Sequence, residues 1–172
     1  MGAGRTEVLR CLFGIDQAFA GEIHVRGKIQ HLRSPQDAIA SGIALIPEDR
    51  KAQGIILDQS IRDNIGLPGL KYNAKGWGFA NESKIDSDAA EMIDAMRVRT
   101  PNAAQPLRNL SGGNQQKVVI AKWLAADPDV FVLDEPTAGI DIGSKSEIIQ
   151  MVRDLAASGK AILMISSELS EL

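Results

Sequence analysis

One stretch constrains this chain more than any other. Leu110-Ser111-Gly112-Gly113-Asn114-Gln115-Gln116 is a glycine-rich serine turn, and a helical pattern follows it at once. An apolar run comes next, Val130-Phe131-Val132-Leu133, and it ends in Asp134-Glu135-Pro136-Thr137. A glycine-rich turn that opens a helix presents free backbone N–H groups and a positive helix end, a ready site for a phosphate. An acidic pair at the carboxyl end of a buried strand is where a nucleotide site keeps its metal-binding and water-activating groups. The two together imply an α/β fold built for nucleotide hydrolysis.

Reading along the chain gives alternating strands and helices. Arg5–Phe13 reads as a helix ending at Gly14. Glu22–Val25 and Lys28–Leu32, parted by Arg26-Gly27, read as a hairpin. Ser34 caps a helix with Pro35 at its first position and Asp37 facing the unpaired N–H groups, and Gly42 ends it. Ile43–Ile46 reads as a short buried strand, and Ser60-Ile61-Arg62-Asp63 as the start of another helix. Residues 68–81, rich in glycine and asparagine, read as a loop. Glu82–Val98 is amphipathic, with Ile85, Ala89, Met92, Ile93 and Met96 at helical spacing, a stripe assigned to core packing. Helices are expected over 112–126 and 143–158, and a last strand over 161–166. Such alternation implies a mostly parallel sheet with helices on both faces.

Composition excludes several classes. The 172 residues carry a net charge of −3, which gives no hint of a nucleic-acid partner. Cys11 is the only cysteine, so no internal disulfide forms, and its place on the first helix suggests packing. No apolar run nears the roughly 18 residues a membrane span needs, so any membrane link is expected through a partner. His24 and His31 lack metal-ligand spacing and read as surface residues.

These motifs resemble those of the ATP-binding-cassette (ABC) ATPases over essentially the whole chain. LSGGNQQK at 110–117 resembles their signature, VFVLDE at 130–135 their Walker B segment, and AGID at 138–141 their D-loop. Met1-Gly2-Ala3-Gly4-Arg5-Thr6 resembles the end of a Walker A loop. The fold implied is a P-loop NTPase sheet core over 1–49 and 127–172, with an inserted helical subdomain over about 50–126. The first Walker A glycine and the strand feeding it would precede Met1, so the chain is expected to be a fragment of a longer domain.

The resemblance implies ATP and Mg²⁺ as ligands. Glu135 would polarise the attacking water, while Asp134, Thr6 and Glu48 would hold the metal. Gly2, Ala3, Gly4, Arg5, Thr6, Glu48 and Ser167 would form this half's own nucleotide face. Ser111, Gly112, Gly113 and Gln115 of the signature, with Asp141 of the D-loop, would act on a partner half's nucleotide. Three positions depart from the family pattern. Arg5 stands where a lysine is usual, a planar fork in place of a compact ammonium. Glu48 stands where a glutamine is usual, and Ser167 or Glu168 at the place of a switch histidine.

This combination is similar to the second nucleotide-binding half of bacterial sugar importers of the ribose/galactose/xylose type. The segments that carry the likeness are Gly2–Thr6, Glu48–Lys51, Val98-Arg99-Thr100-Pro101 and the missing histidine. The implied partners are a first ABC half of the same polypeptide or a homologous half, membrane permease subunits and, indirectly, a sugar-binding protein. The implied place is the cytoplasmic face of the bacterial inner membrane. The departures imply a weak site of this half's own and an intact signature acting in trans. The alternatives are a non-catalytic regulatory half and a soluble ABC ATPase acting on nucleic acid; the latter would call for basic patches.

Overall fold

A computed structural model describes residues 4–70 and 80–171. Its centre is a three-stranded, all-parallel sheet in the order β3-β4-β5, with β3 at Ile43–Ile46, β4 at Val130–Asp134 and β5 at Ala161–Ile165. The apolar run of β4 suits a central parallel strand, whose faces are both covered. Phe131, Val132 and Leu133 are accordingly buried. The register places Ile46 beside Leu133 and Asp134 beside Ile165. All three carboxyl ends therefore open at one edge, where Glu48, Glu135 and Ser167 follow their strands.

The hairpin forms from β1, Ile23–Val25, and β2, Lys28–Gln30, both shorter than the sequence pattern suggests. Helix α1, Arg5–Leu12, packs toward β4, and α2, Pro35–Ala40, toward β3. Ser34 caps α2 by accepting from the Asp37 N–H at 3.3 Å, and Asp37 reaches back to the Arg33 N–H at 3.0 Å. This reciprocal arrangement satisfies donors on both sides of the helix start.

Beyond β3 the chain makes one π-helical turn, Arg50–Gly54, capped by the Asp49 carboxylate. Helices α3, Ile61–Gly66, and α4, Glu82–Ala95, then pack together, with Arg62 of α3 paired to Glu82 and Asp86 of α4. The 68–81 loop expectation falls mostly on residues 71–79, outside the described residues; Leu67–Gly69 is a 3-10 turn. Helix α5, Gly112–Leu124, joins the helical part to the sheet, since it packs on α3, α4, α6 and β3. Helix α6, Ile142–Ala157, follows β4 and lies against β5. Phe13 at the end of α1 meets Trp123 of α5 edge-on, with ring centroids 5.7 Å apart. Among the described residues no helix is long and apolar enough to cross a membrane.

Candidate functional site

Most of the expected site residues that are described sort into two clefts. The first, about 330 Å³, opens at the carboxyl ends of the parallel strands. Gly4, Arg5, Thr6, Glu48, Asp134, Glu135 and Ser167 all line it, so residues from both ends of the chain meet at one edge of the sheet. Gly2 and Ala3 lie outside the described residues.

Each element has a local reason to place its group there. Gly4 precedes α1 in the left-handed region, φ 72°, a conformation that favours glycine. No side chain caps α1, so its first-turn N–H groups remain available at the cleft. Asp134 is the last residue of buried β4; its Oδ1 is buried with no hydrogen-bond partner among the described residues. Glu135 follows with φ 43°, rare for a residue with a side chain and characteristic of functional turns. Its N–H donates to the Ile165 carbonyl at 2.9 Å, and its Oε2 accepts from the Ser167 hydroxyl at 3.1 Å.

A divalent cation fits this donor set. The orphaned Asp134 Oδ1, the Thr6 hydroxyl and Glu48 are hard oxygen donors. Among the described residues no three His, Cys, Asp or Glu side chains close on a metal.

The second cleft, about 230 Å³, is lined by Arg99, Ser111, Asn114, Lys117, Asp141, Gly143, Ser144 and Glu147. Ser111 caps α5. Its Oγ accepts from the Asn114 N–H at 3.4 Å and from Asn114 Nδ2 at 3.0 Å. The Asn114 amide is itself oriented, because its Oδ1 accepts from the Arg99 N–H at 2.9 Å. A hydroxyl has one proton and two lone pairs. With Ser111 accepting twice, its proton is free to be donated outward. Asp141 caps α6, and the Ser144 N–H at 3.0 Å holds its carboxyl below the usual carboxylate range. Buried Lys117 bonds Glu147 at 2.6 Å and thereby lowers that carboxyl also.

Three signature residues, Gly112, Gly113 and Gln115, line neither cleft. Gly113 packs so tightly on α6 that an added Cβ would lie 2.5 Å from Ser144 Cβ. Gln115 lines neither cleft: its buried amide donates to the Leu110 carbonyl at 3.1 Å and the Leu107 carbonyl at 3.4 Å. A larger cleft of about 790 Å³ lies between α1 and the hairpin. It is mostly apolar, and Glu7 is the one residue it shares with the first cleft.

Sequence reasoning missed three supports. Arg50 is buried and donates to the carbonyls of Ala138 and Gly139. Glu171, also buried, accepts from the hydroxyls of Thr137 and Ser166, tying the turn after β4 to the turn after β5. Asn114 orients Ser111 as described above. Asn114 lies inside the signature and Arg50 inside the Glu48–Lys51 segment, but nothing in the sequence names their partners.

Comparison with known proteins shows the family and the fold. The family described as ABC transporter matches residues 1–138. A ribose import ATP-binding protein of Oceanobacillus iheyensis is 49% identical over 100% of this chain and 34% of its own length. The ribose import ATP-binding protein of Rhodopirellula baltica is 47% identical over 100% of this chain and 34% of its own. The chain thus spans about a third of the length of the curated relatives it matches. Among solved structures, a nucleotide-free ATP-binding cassette from an ABC transporter superposes with a TM-score of 0.79 at 22% identity, covering 98% of this chain and 68% of that one. A dimeric cassette in a post-hydrolysis state with ADP and Pi gives 0.77 at 21%, covering 98% and 72%.

Proposed function

The chain belongs to the ABC transporter family, and on that premise we propose that it is one ATP-binding half of a bacterial sugar importer. The sugar class rests on the ribose import proteins to which it is similar. The observation that carries the ATPase reading is the first cleft, where the α1 N-terminus, Thr6, Asp134 and Glu135 converge.

In this reading the N–H groups at the start of α1 and the Arg5 guanidinium bind the ATP phosphates. Asp134 and Thr6 would hold Mg²⁺, which when bound would neutralise charge on the phosphate oxygens. Glu135 orients and polarises a water for in-line attack on the γ-phosphorus, releasing ADP and phosphate. The left-handed turn at Glu135 and the Ser167 hydrogen bond fix the carboxylate's direction. The second cleft faces a partner half. There the free Ser111 proton donates to the partner-bound γ-phosphate, and Asp141 meets the partner's surface. Permease subunits and a sugar-binding protein complete the assembly at the cytoplasmic face of the inner membrane.

One observation favours a second reading for this half, a regulatory nucleotide site without turnover. Ser167 is neutral and engages Glu135 where a histidine would bring charge. Arg5 and Glu48 add to it.

The test is Glu135→Gln in the intact protein. General-base loss typically costs about 10²–10⁴-fold. If this half turns over, phosphate release falls at least tenfold while ATP binding persists. Unchanged turnover with ATP still bound assigns this half the regulatory role, and failure of the unmutated protein to bind ATP removes both readings.

A further inference from the structure

Arg50 lines neither cleft itself, but it bonds Ala138 in the wall of the first. Its guanidinium is buried, with the residue only 9% exposed. Among the described residues no carboxylate pairs with it; its Nη1 donates to the Ala138 carbonyl at 2.8 Å and its Nη2 lies 3.4 Å from that of Gly139. A buried cation held by carbonyls alone is costly, and a core position would be served better by an apolar side chain. The residues it holds explain its place. Ala138 and Gly139 lie in the short loop whose one end is Glu135, in the first cleft, and whose other end is Asp141, in the second. The same guanidinium lies against the start of the signature helix: a Cβ on Gly112 would stand 2.8 Å from Nη2.

Arg50 itself is anchored from behind. It opens the π-helical turn that follows Glu48, and the far end of that turn, the Gly54 carbonyl, is held by Lys122 of α5. A Cβ on Gly54 would also stand 3.3 Å from Val119 of α5. The fork is therefore fixed by one element and grips two others. Its Nε–H is buried without a partner, which leaves a donor for a shifted arrangement of the loop.

We propose that Arg50 is a positioning residue that couples the two clefts, setting the Glu135–Asp141 loop and the signature turn in register so that they move as one. This rests on the reading of both clefts as ATP-contacting surfaces. A planar fork can bridge two adjacent carbonyls, and a lysine ammonium cannot match that geometry. Position, not charge alone, is thus what the residue supplies.

The experiment compares Arg50→Met and Arg50→Lys with the unmutated intact protein. It reads thermal midpoint, ATP affinity by equilibrium binding, kcat, and amide hydrogen exchange over 111–114 and 138–141. The expected result is a kcat lower by at least tenfold in Arg50→Met and at least threefold in Arg50→Lys. ATP affinity stays within about threefold, and exchange rises in both segments together. Should Arg50→Met fail to fold, Arg50→Lys carries the same comparison. Wild-type kcat in Arg50→Lys would overturn the proposal, because charge alone would then suffice. Faster exchange in one segment only would overturn it as well, as would parallel loss of affinity, kcat and thermal midpoint. If the unmutated protein binds no ATP yet both segments loosen together in the variants, the coupling stands and the ATP reading falls.

Discussion

At the scale of single residues, the orientation of one amide decides what a serine can donate. Asn114 Oδ1 is committed to the Arg99 N–H, so its Nδ2 must face Ser111 Oγ. That leaves the Ser111 proton for an incoming anion. Asn114→Asp preserves size and keeps an acceptor for Arg99, and an acidic group in the first turn of α5 suits the helix end. It also places a carboxylate oxygen where the donor was. Ser111 would turn its proton inward to meet it. ATP turnover of the intact protein is expected to fall about tenfold, the worth of one hydrogen bond of about 1.4 kcal/mol. The thermal midpoint should hardly change. Unaltered turnover at matched protein levels would refute the assigned direction of the proton. The first cleft was legible in the sequence, because each expected residue follows a strand or opens a helix; in the second only Ser111 and Asp141 were, and Gly112, Gly113 and Gln115 fall outside it. Arg50 and Glu171 were not. Their partners lie 88 and 34 positions away, and nothing in one sequence pairs an arginine with distant carbonyls.

At the scale of elements, periodicity found the helices and misjudged their ends. The apolar stripe of α4 runs on through Met96 and Val98, both buried, yet the helix stops at Ala95. Arg97 adopts φ 49° and turns the chain, so Val98 packs from outside the helix. Burial shows in the pattern, while the reversal does not. The π-helical turn at Arg50–Gly54 escaped for a related reason: it depends on Lys122, far along the chain, reaching the Gly54 carbonyl. That contact has a measurable cost. Burial lowers the Lys122 ammonium from 10.5 to about 8. Between those values the unfolded chain keeps a proton the folded one has released, so stability contributed by this residue rises with pH across that window. Relative to Lys122→Met, the unmutated chain should gain about 3 kcal/mol from pH 8 to 10.5. Urea midpoints of both proteins across that range check it. A constant difference would show that Lys122 titrates normally.

At the scale of the whole molecule, the alternation of strands and helices foretold a parallel sheet, and β3, β4 and β5 form one. The division into two separate clefts is a property of three dimensions that spacing alone does not give. It arises because β4 delivers its acidic end to one side while the next five residues carry the chain to the other. Between those sides the starts of α5 and α6 touch at Gly113 and Ser144 with no spare room. The two helices are thus meshed like gear teeth, and the mesh sets a rule for how the sequence can drift. Neither position can gain bulk unless the other gives it up. Gly113→Ala alone should destabilise by about 1–3 kcal/mol through overpacking. Ser144→Gly removes the atoms it would strike, so the double substitution should recover most of that loss, as a double-mutant cycle of melting curves would show. In related chains a larger residue at one of these places should travel with a smaller one at the other, and the pair would be inherited as a unit.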